Sequence, residues 1–95
     1  MSVLAGPDTL TRAAEHFKVL GEPARLQILH SLRGGERSVT DLVRDTGLAQ
    51  ANVSKHLQLL YAAGFVVRHK AGLFVYYAIA DDRVYGLCDL MCDRL

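Results

Sequence analysis

The chain has 95 residues, 51% of them hydrophobic, 22% charged and 7% aromatic, which suits one compact soluble domain over 1–95 and is too short for two cores. The longest charge-free apolar stretch, 71–80, falls short of the roughly 18 residues a membrane-spanning helix needs, and Met1 to Gly6 carry no basic leader or long apolar run, so no membrane and a reducing, cytoplasmic setting are expected. The net charge of +1 hides an uneven spread: between Arg44 and Ala80 the cations Arg44, Lys55, Arg68 and Lys70 face one acid, Asp45, whereas the tail is acidic, and phosphates respond to such a local field rather than to the whole-chain sum.

In chain order, Asp8 is placed to cap a first helix over 9–20, with Leu10, Ala13, Ala14, Phe17 and Leu20 on one face. Gly21 ends it. Pro23, at a tolerated first-turn position, opens a second helix marked by Leu26, Leu29 and Leu32 and stopped by Gly34-Gly35. Ser38 and Asp41 form a capping box for a short third helix whose buried face is Val39, Leu42 and Val43 and whose stop is Gly47. A fourth helix over 49–63 carries a narrow apolar stripe, Val53, Leu57 and Leu60, and turns Ala51, Ser54, Lys55 and Gln58 away from it without an acidic residue. Two β-rich runs, 65–70 and 73–79, with Ala71-Gly72 as the hairpin turn, put Arg68, His69 and Lys70 at a basic tip. A fifth helix over 82–95, capped by Asp81 or Asp82, sets Val84, Leu87, Cys88, Met91 and Leu95 in one apolar series.

This order predicts a mainly α fold with a small β-hairpin, a winged helix-turn-helix with four helices, a two-stranded wing and a C-terminal helix. The fourth helix fits a major groove, where Gln50, Ser54, Lys55 and Gln58 offer donors and acceptors, Ala51 permits close approach or meets a thymine methyl, and Asn52 points to the side, toward a phosphate or a local partner. Arg68 and Lys70 suit phosphates or the minor groove. His56, at the edge of the apolar stripe, reads as packed or backbone-bonded. His16 and His30 read as structural, and His69 as facing solvent. A domain this small has little body to cover the apolar series of the last helix, so a second copy is expected over it.

The runs FKVLGEPARLQIL (17–29), VSKHLQLL (53–60), AGFV (63–66) and FVYY (74–77) together resemble the ArsR-type bacterial repressors over nearly the whole chain. That resemblance implies a homodimeric repressor on an imperfect palindrome of double-stranded DNA, joined through the helices at 9–20 and 82–95 and released by a metal ion or another inducer. It also implies inducer sites that fail position by position. Ser38 and Thr40 stand where one branch has cysteines, Asp81, Arg83 and Arg94 where another binds zinc, and His30 where a third has a cysteine; guanidinium groups cannot ligate zinc.

What remains is Cys88 and Cys92, the only two cysteines, four apart and so on one helical face. They offer a two-point bite to a soft ion such as As(III), Cd(II), Hg(II) or Cu(I), with a third ligand from the partner subunit, His16 or His30. Redox chemistry is the second reading, although a disulfide across one helical turn is strained. The third is packing, since free cysteine is among the most buried residue types; the chain is then a repressor without ligand-sensing cysteines. No nucleophile-base motif, phosphate-binding glycine loop or hydrolase-spaced cluster suggests an enzyme. The rival from another class is a winged-helix module that binds protein, which an acidic face on the fourth helix would have favoured.

Overall fold

The computed structural model describes residues 5–95; residues 1–4, on which much of the reading of a leaderless start rests, lie outside the described residues. Among them the elements are α1 (Pro7–Leu20), α2 (Pro23–Leu32), β1 (Arg37–Ser38), α3 (Val39–Thr46), α4 (Gln50–Ala62), β2 (Val66–Ala71), β3 (Phe74–Ile79) and α5 (Val84–Cys92). No helix of the described residues is long and apolar enough to cross a membrane.

The helix ends follow from local chemistry, with corrections. Pro7 opens α1 with Gly6 as its N-cap, so Asp8 lies inside the first turn, where its charge still complements the helix dipole, and is not the cap. The capping box of α3 is present: Asp41 N–H donates to Ser38 Oγ at 3.1 Å and Ser38 N–H to the Asp41 carboxylate at 3.0 Å. The Ser38 N–H bond, first among several, holds that carboxyl below its ordinary range. Gly47 takes φ 73° and donates to Val43 O at 2.9 Å. A side chain there would be strained, and this left-handed residue is what lets α4 start at once.

The core joins Ile28, Leu29 and Leu32 of α2, Leu42 of α3 and Val53, Leu57 and Leu60 of α4, closed by Leu20, Val66, Tyr77 and Tyr85. The predicted stripe of the fourth helix is fully buried. Along α2, three-residue steps each fall about 60° short of a turn, so Leu26 drifts out to 41% exposure and Ile28 takes its place inside. On α1, Leu10 and Phe17 of the predicted apolar face stay 59% exposed and only Leu20 is buried.

The sheet has three antiparallel strands in the order β1-β3-β2, so the expected two-stranded wing gains a third strand at its root, Arg37 pairing with Tyr77 and Ser38 with Tyr76. The last β2-β3 pair is Ala71 with Phe74, which makes the turn Gly72-Leu73, one residue later than expected. Gly72 takes φ 62° there, a value that a two-residue hairpin loop asks of its first residue. Arg68, paired with Tyr77, therefore sits in the body of the hairpin and not at its tip.

The last helix is shorter than 82–95 and is capped by neither aspartate side chain as predicted, since Arg83 is its N-cap and Cys92 its last residue. Asp81 instead folds back on Arg83, accepting from its backbone N–H at 3.0 Å and pairing with its guanidinium at 2.6 Å. The guanidinium first, then the N–H, take the carboxyl from its ordinary 3.8 down to about 2. Because the folded value is the lower one, this contact stabilises the helix start above pH 3.8 and is lost as pH falls through about 2. A carbon-13 titration of Asp81 is expected to find its midpoint near the lower value; one at or above 3.8 contradicts the contact.

Candidate nucleic-acid interface

Three residues, Gly47, Leu48 and Ala49, join α3 to α4, and Thr46 fixes the bend by donating to Leu42 O at 2.6 Å and accepting from Leu48 N–H at 3.2 Å. With Val53, Leu57 and Leu60 inward, Gln50, Ala51, Asn52, Lys55 and Gln58 are exposed and Ser54 is half-buried. All six predicted positions thus lie on the accessible part of one helix. Among the described residues Lys55 takes part in no salt bridge.

The two carboxylates of α3, Asp41 and Asp45, are already occupied. Arg44 reaches Asp41 at 3.1 Å and Asp45 at 3.6 Å, and Asp45 also meets Arg37 at 3.4 Å and the Ser31 hydroxyl at 2.8 Å. The Ser31 hydroxyl, aided by these cations, holds the Asp45 carboxyl below its ordinary range. The field over α4 is accordingly set by Lys55 and the helix's own polar groups, with Arg44 largely spent on its neighbours.

His56 is half-buried as expected, but its partner is a side chain and not the backbone: Arg25 Nη1 lies 3.1 Å from His56 Nδ1. Arginine only donates, so Nδ1 accepts. Arg25 Nε in turn donates to Val19 O at 2.5 Å, which ties α4 to the end of α1.

The wing differs most from expectation. The Arg68 guanidinium lies 4.0 Å from the centre of the Tyr61 ring at the end of α4, so this cation docks the wing on the helix. The phenol of Tyr77, its cross-strand partner, and then that of Tyr61 hold the guanidinium's pKa above its ordinary value. Tyr61 was missed by the sequence reading; its one signal was an aromatic ring on the exposed side of the last helical turn. His69 faces solvent as expected, its side chain 55% exposed, and there it stacks on Tyr76 with centroids 5.8 Å apart and approaches Glu36 at 3.5 Å. Lys70, one pair from the turn, is exposed as predicted.

Cys88 is half-buried and Cys92 exposed, both as free thiols. They share the lining of an open cavity of about 960 Å³ with Phe17, His30, Tyr85 and Met91. His16 is instead edge-on to Phe65 at 5.5 Å, so only His30 of the two proposed third ligands lines this cavity. Among the described residues no group of three or more His, Cys, Asp or Glu is placed to hold a metal ion. Burial, then the neighbouring Cys92 and Asp89, push the Cys88 thiol up.

Two contacts bind this helix to α2. The Tyr85 hydroxyl donates to Leu29 O at 2.6 Å, and Arg33 holds the Asp89 carboxylate with bonds of 2.8 and 2.6 Å. The same guanidinium lies 4.7 Å from the Tyr85 ring centre. Tyr85 stood outside the predicted apolar series, yet it is the buried residue of α5.

Comparison with known proteins agrees with this arrangement. The family described as bacterial regulatory protein, arsR family, matches residues 22–67, from the cap of α2 into β2. An uncharacterized HTH-type transcriptional regulator of Methanocaldococcus jannaschii is 38% identical over 84% of this chain and 91% of its own length. A probable mercury resistance operon repressor of Streptomyces lividans is 36% identical over 85% of this chain, which spans 62% of that protein. Among solved structures, a homodimeric winged helix-turn-helix DNA-binding domain from Mycobacterium bovis, a possible ArsR-family transcriptional regulator, superimposes with a TM-score of 0.82 at 32% identity, covering 98% of this chain and 91% of that one. The chain belongs to the ArsR family of winged helix-turn-helix transcriptional regulators, which are not enzymes.

Proposed function

We propose that the protein is a homodimeric transcriptional repressor, working in the cytoplasm, that grips a palindromic operator. The α4 face of Gln50, Ala51, Asn52, Ser54, Lys55 and Gln58 enters the major groove, and Lys70 and the free edge of Arg68 steady the wing on phosphates. The observation that carries this reading is the acid-free, exposed side of α4 above a fully buried stripe. The terminal helices α1 and α5 form the dimer interface. Phe17, Leu90 and Met91 leave them at 59%, 52% and 50% exposure, apolar surface that a second copy removes from water. Two-fold symmetry then sets the two recognition helices about 34 Å apart, one turn of DNA. The homodimeric relative supports this assembly.

Cys88 and Cys92 form the effector site. A relative named for mercury resistance supports a soft ion there, and a two-sulfur donor set fits an ion content with two thiolates. When bound, such an ion supplies a cross-brace along α5. The chain's own part is to give up the thiol protons and to carry the change through Tyr85 and Arg33 into α2. Because burial raises the Cys88 thiol, the release of protons that binding requires is easier at higher pH.

The operator reading is tested by gel shift on promoter DNA at several salt concentrations. Sequence-preferring binding that weakens steeply with salt is expected; its absence returns the fold to a protein-binding module. For the effector, Hg(II) is titrated into the complex. Wild type is expected to leave DNA, at lower ion concentration at pH 8 than at pH 6, while Cys88→Ser and Cys92→Ser stay bound. Variants that release like wild type would make the two thiols packing groups in a repressor with no cysteine sensor.

A further inference from the structure

We propose that each wing carries an apolar wedge, Leu73, that enters the minor groove beside the half-site and bends the operator. This rests on the DNA reading above and adds to it a second point of sequence discrimination.

Leu73 stands at the apex of the β2-β3 hairpin and is 96% exposed, with Phe74 beside it at 52%. Burying a leucine side chain is favourable, and within this chain Leu73 leaves that gain unmade. A large apolar side chain held at the outermost point of an ordered element suits a site on a partner. The hairpin's charge says which partner: from Val66 to Ala80 it contains Arg68 and Lys70 and no acid. An apolar tip with Lys70 one pair behind it and no acid on the hairpin matches a narrow groove walled by phosphates, because the cation meets a wall while the tip meets the stacked bases.

The wing is also built to keep its tip in place. β2 and β3 pair without a break from Val66-Ile79 to Ala71-Phe74. Along one face Phe74, Tyr76 and His69 form an aromatic ladder with centroid spacings of 6.3 and 5.8 Å. At the root, Arg68 on Tyr61 fixes the wing to α4 itself. The six-residue strands are about 20 Å long, and the turn lies about 10 Å beyond Arg68, so the tip stands clear of the contact with α4. The angle between recognition helix and wedge is thus set before DNA arrives, and the duplex must deform to meet both. Deformation is easiest at pyrimidine-purine steps, so the wedge selects a base step that no polar group reads.

The experiment begins with an operator selected by the wild-type protein from a random duplex pool. Its affinity is measured by gel shift and its bend by circular permutation, with 2-aminopurine at the step facing the wing. Wild type is expected to bend the duplex by tens of degrees and to raise 2-aminopurine fluorescence on binding. Leu73→Ser is expected to bind about ten-fold more weakly, with the bend and the fluorescence rise lost and the preference for a pyrimidine-purine step gone. Leu73→Met restores all of them. Thermal melting of Leu73→Ser is expected to match wild type, which separates a lost DNA contact from a damaged wing. A pool that yields no enriched sequence removes the DNA reading and the wedge with it. An enriched operator that Leu73→Ser binds and bends like wild type removes the wedge alone and leaves the exposed tip to a protein partner.

Discussion

Lys55→Glu is expected to abolish sequence-preferring DNA binding while the protein melts as wild type does. Lys55 is exposed on α4, opposite the buried stripe, and among the described residues no carboxylate pairs with it. Its loss therefore breaks nothing inside the fold, and surface changes of this kind stay within about 0.5 kcal/mol. At the DNA a good polar contact is worth about 1–3 kcal/mol, and a two-fold dimer loses it twice, which predicts a drop of about 30-fold to more than 10,000-fold for removal alone. Glutamate adds repulsion from phosphates. The milder Lys55→Ala is expected to lower the slope of log affinity against log salt by about 2 per dimer, one counterion per lost contact. Fluorescence anisotropy across a salt series measures both, and wild-type affinity and slope in the variants would mean that α4 does not face the duplex.

The parts that were legible in the sequence are those decided by neighbours within a turn or two. The spacing of Val53, Leu57 and Leu60, with no acid on the other side, located α4, its buried stripe and its outward face. Ser38 with Asp41, and Gly47, marked both ends of α3. What was illegible depends on residues far apart in the chain. β1 has two residues, too few to show an alternating pattern, and exists because β3 comes to lie beside it. The Tyr85 bond to Leu29 O spans 56 positions, and nothing around Tyr85 signals a carbonyl waiting on α2. Arg68 looked like a free cation because the docking of the hairpin against Tyr61 is a tertiary event. For Cys88 and Cys92 the spacing gave a shared face of the helix. Which thiol is the more buried was decided only by how α5 leans on α2.

Leu57→Ala is expected to have the largest effect on stability, two residues from Lys55 and with the opposite signature. Leu57 is fully buried, in the cluster that joins α2, α3 and α4. Truncating such a leucine costs about 2–5 kcal/mol, because the transfer free energy is lost and the cavity collapses only in part. A domain of this length has a total near the lower end of about 5–15 kcal/mol, so a substantial fraction of the variant is unfolded well below the wild-type midpoint. If folding is linked to pairing of two copies through the proposed α1 and α5 interface, the variant's midpoint rises with protein concentration. DNA binding then falls only in step with the unfolded fraction, and cooling or added protein restores it, which neither does for Lys55→Glu. Urea melts at two protein concentrations, read by circular dichroism, check this. A loss under about 1 kcal/mol would mean that α4 does not bury its stripe in the core, and the outward face assigned to Lys55 would fail with it.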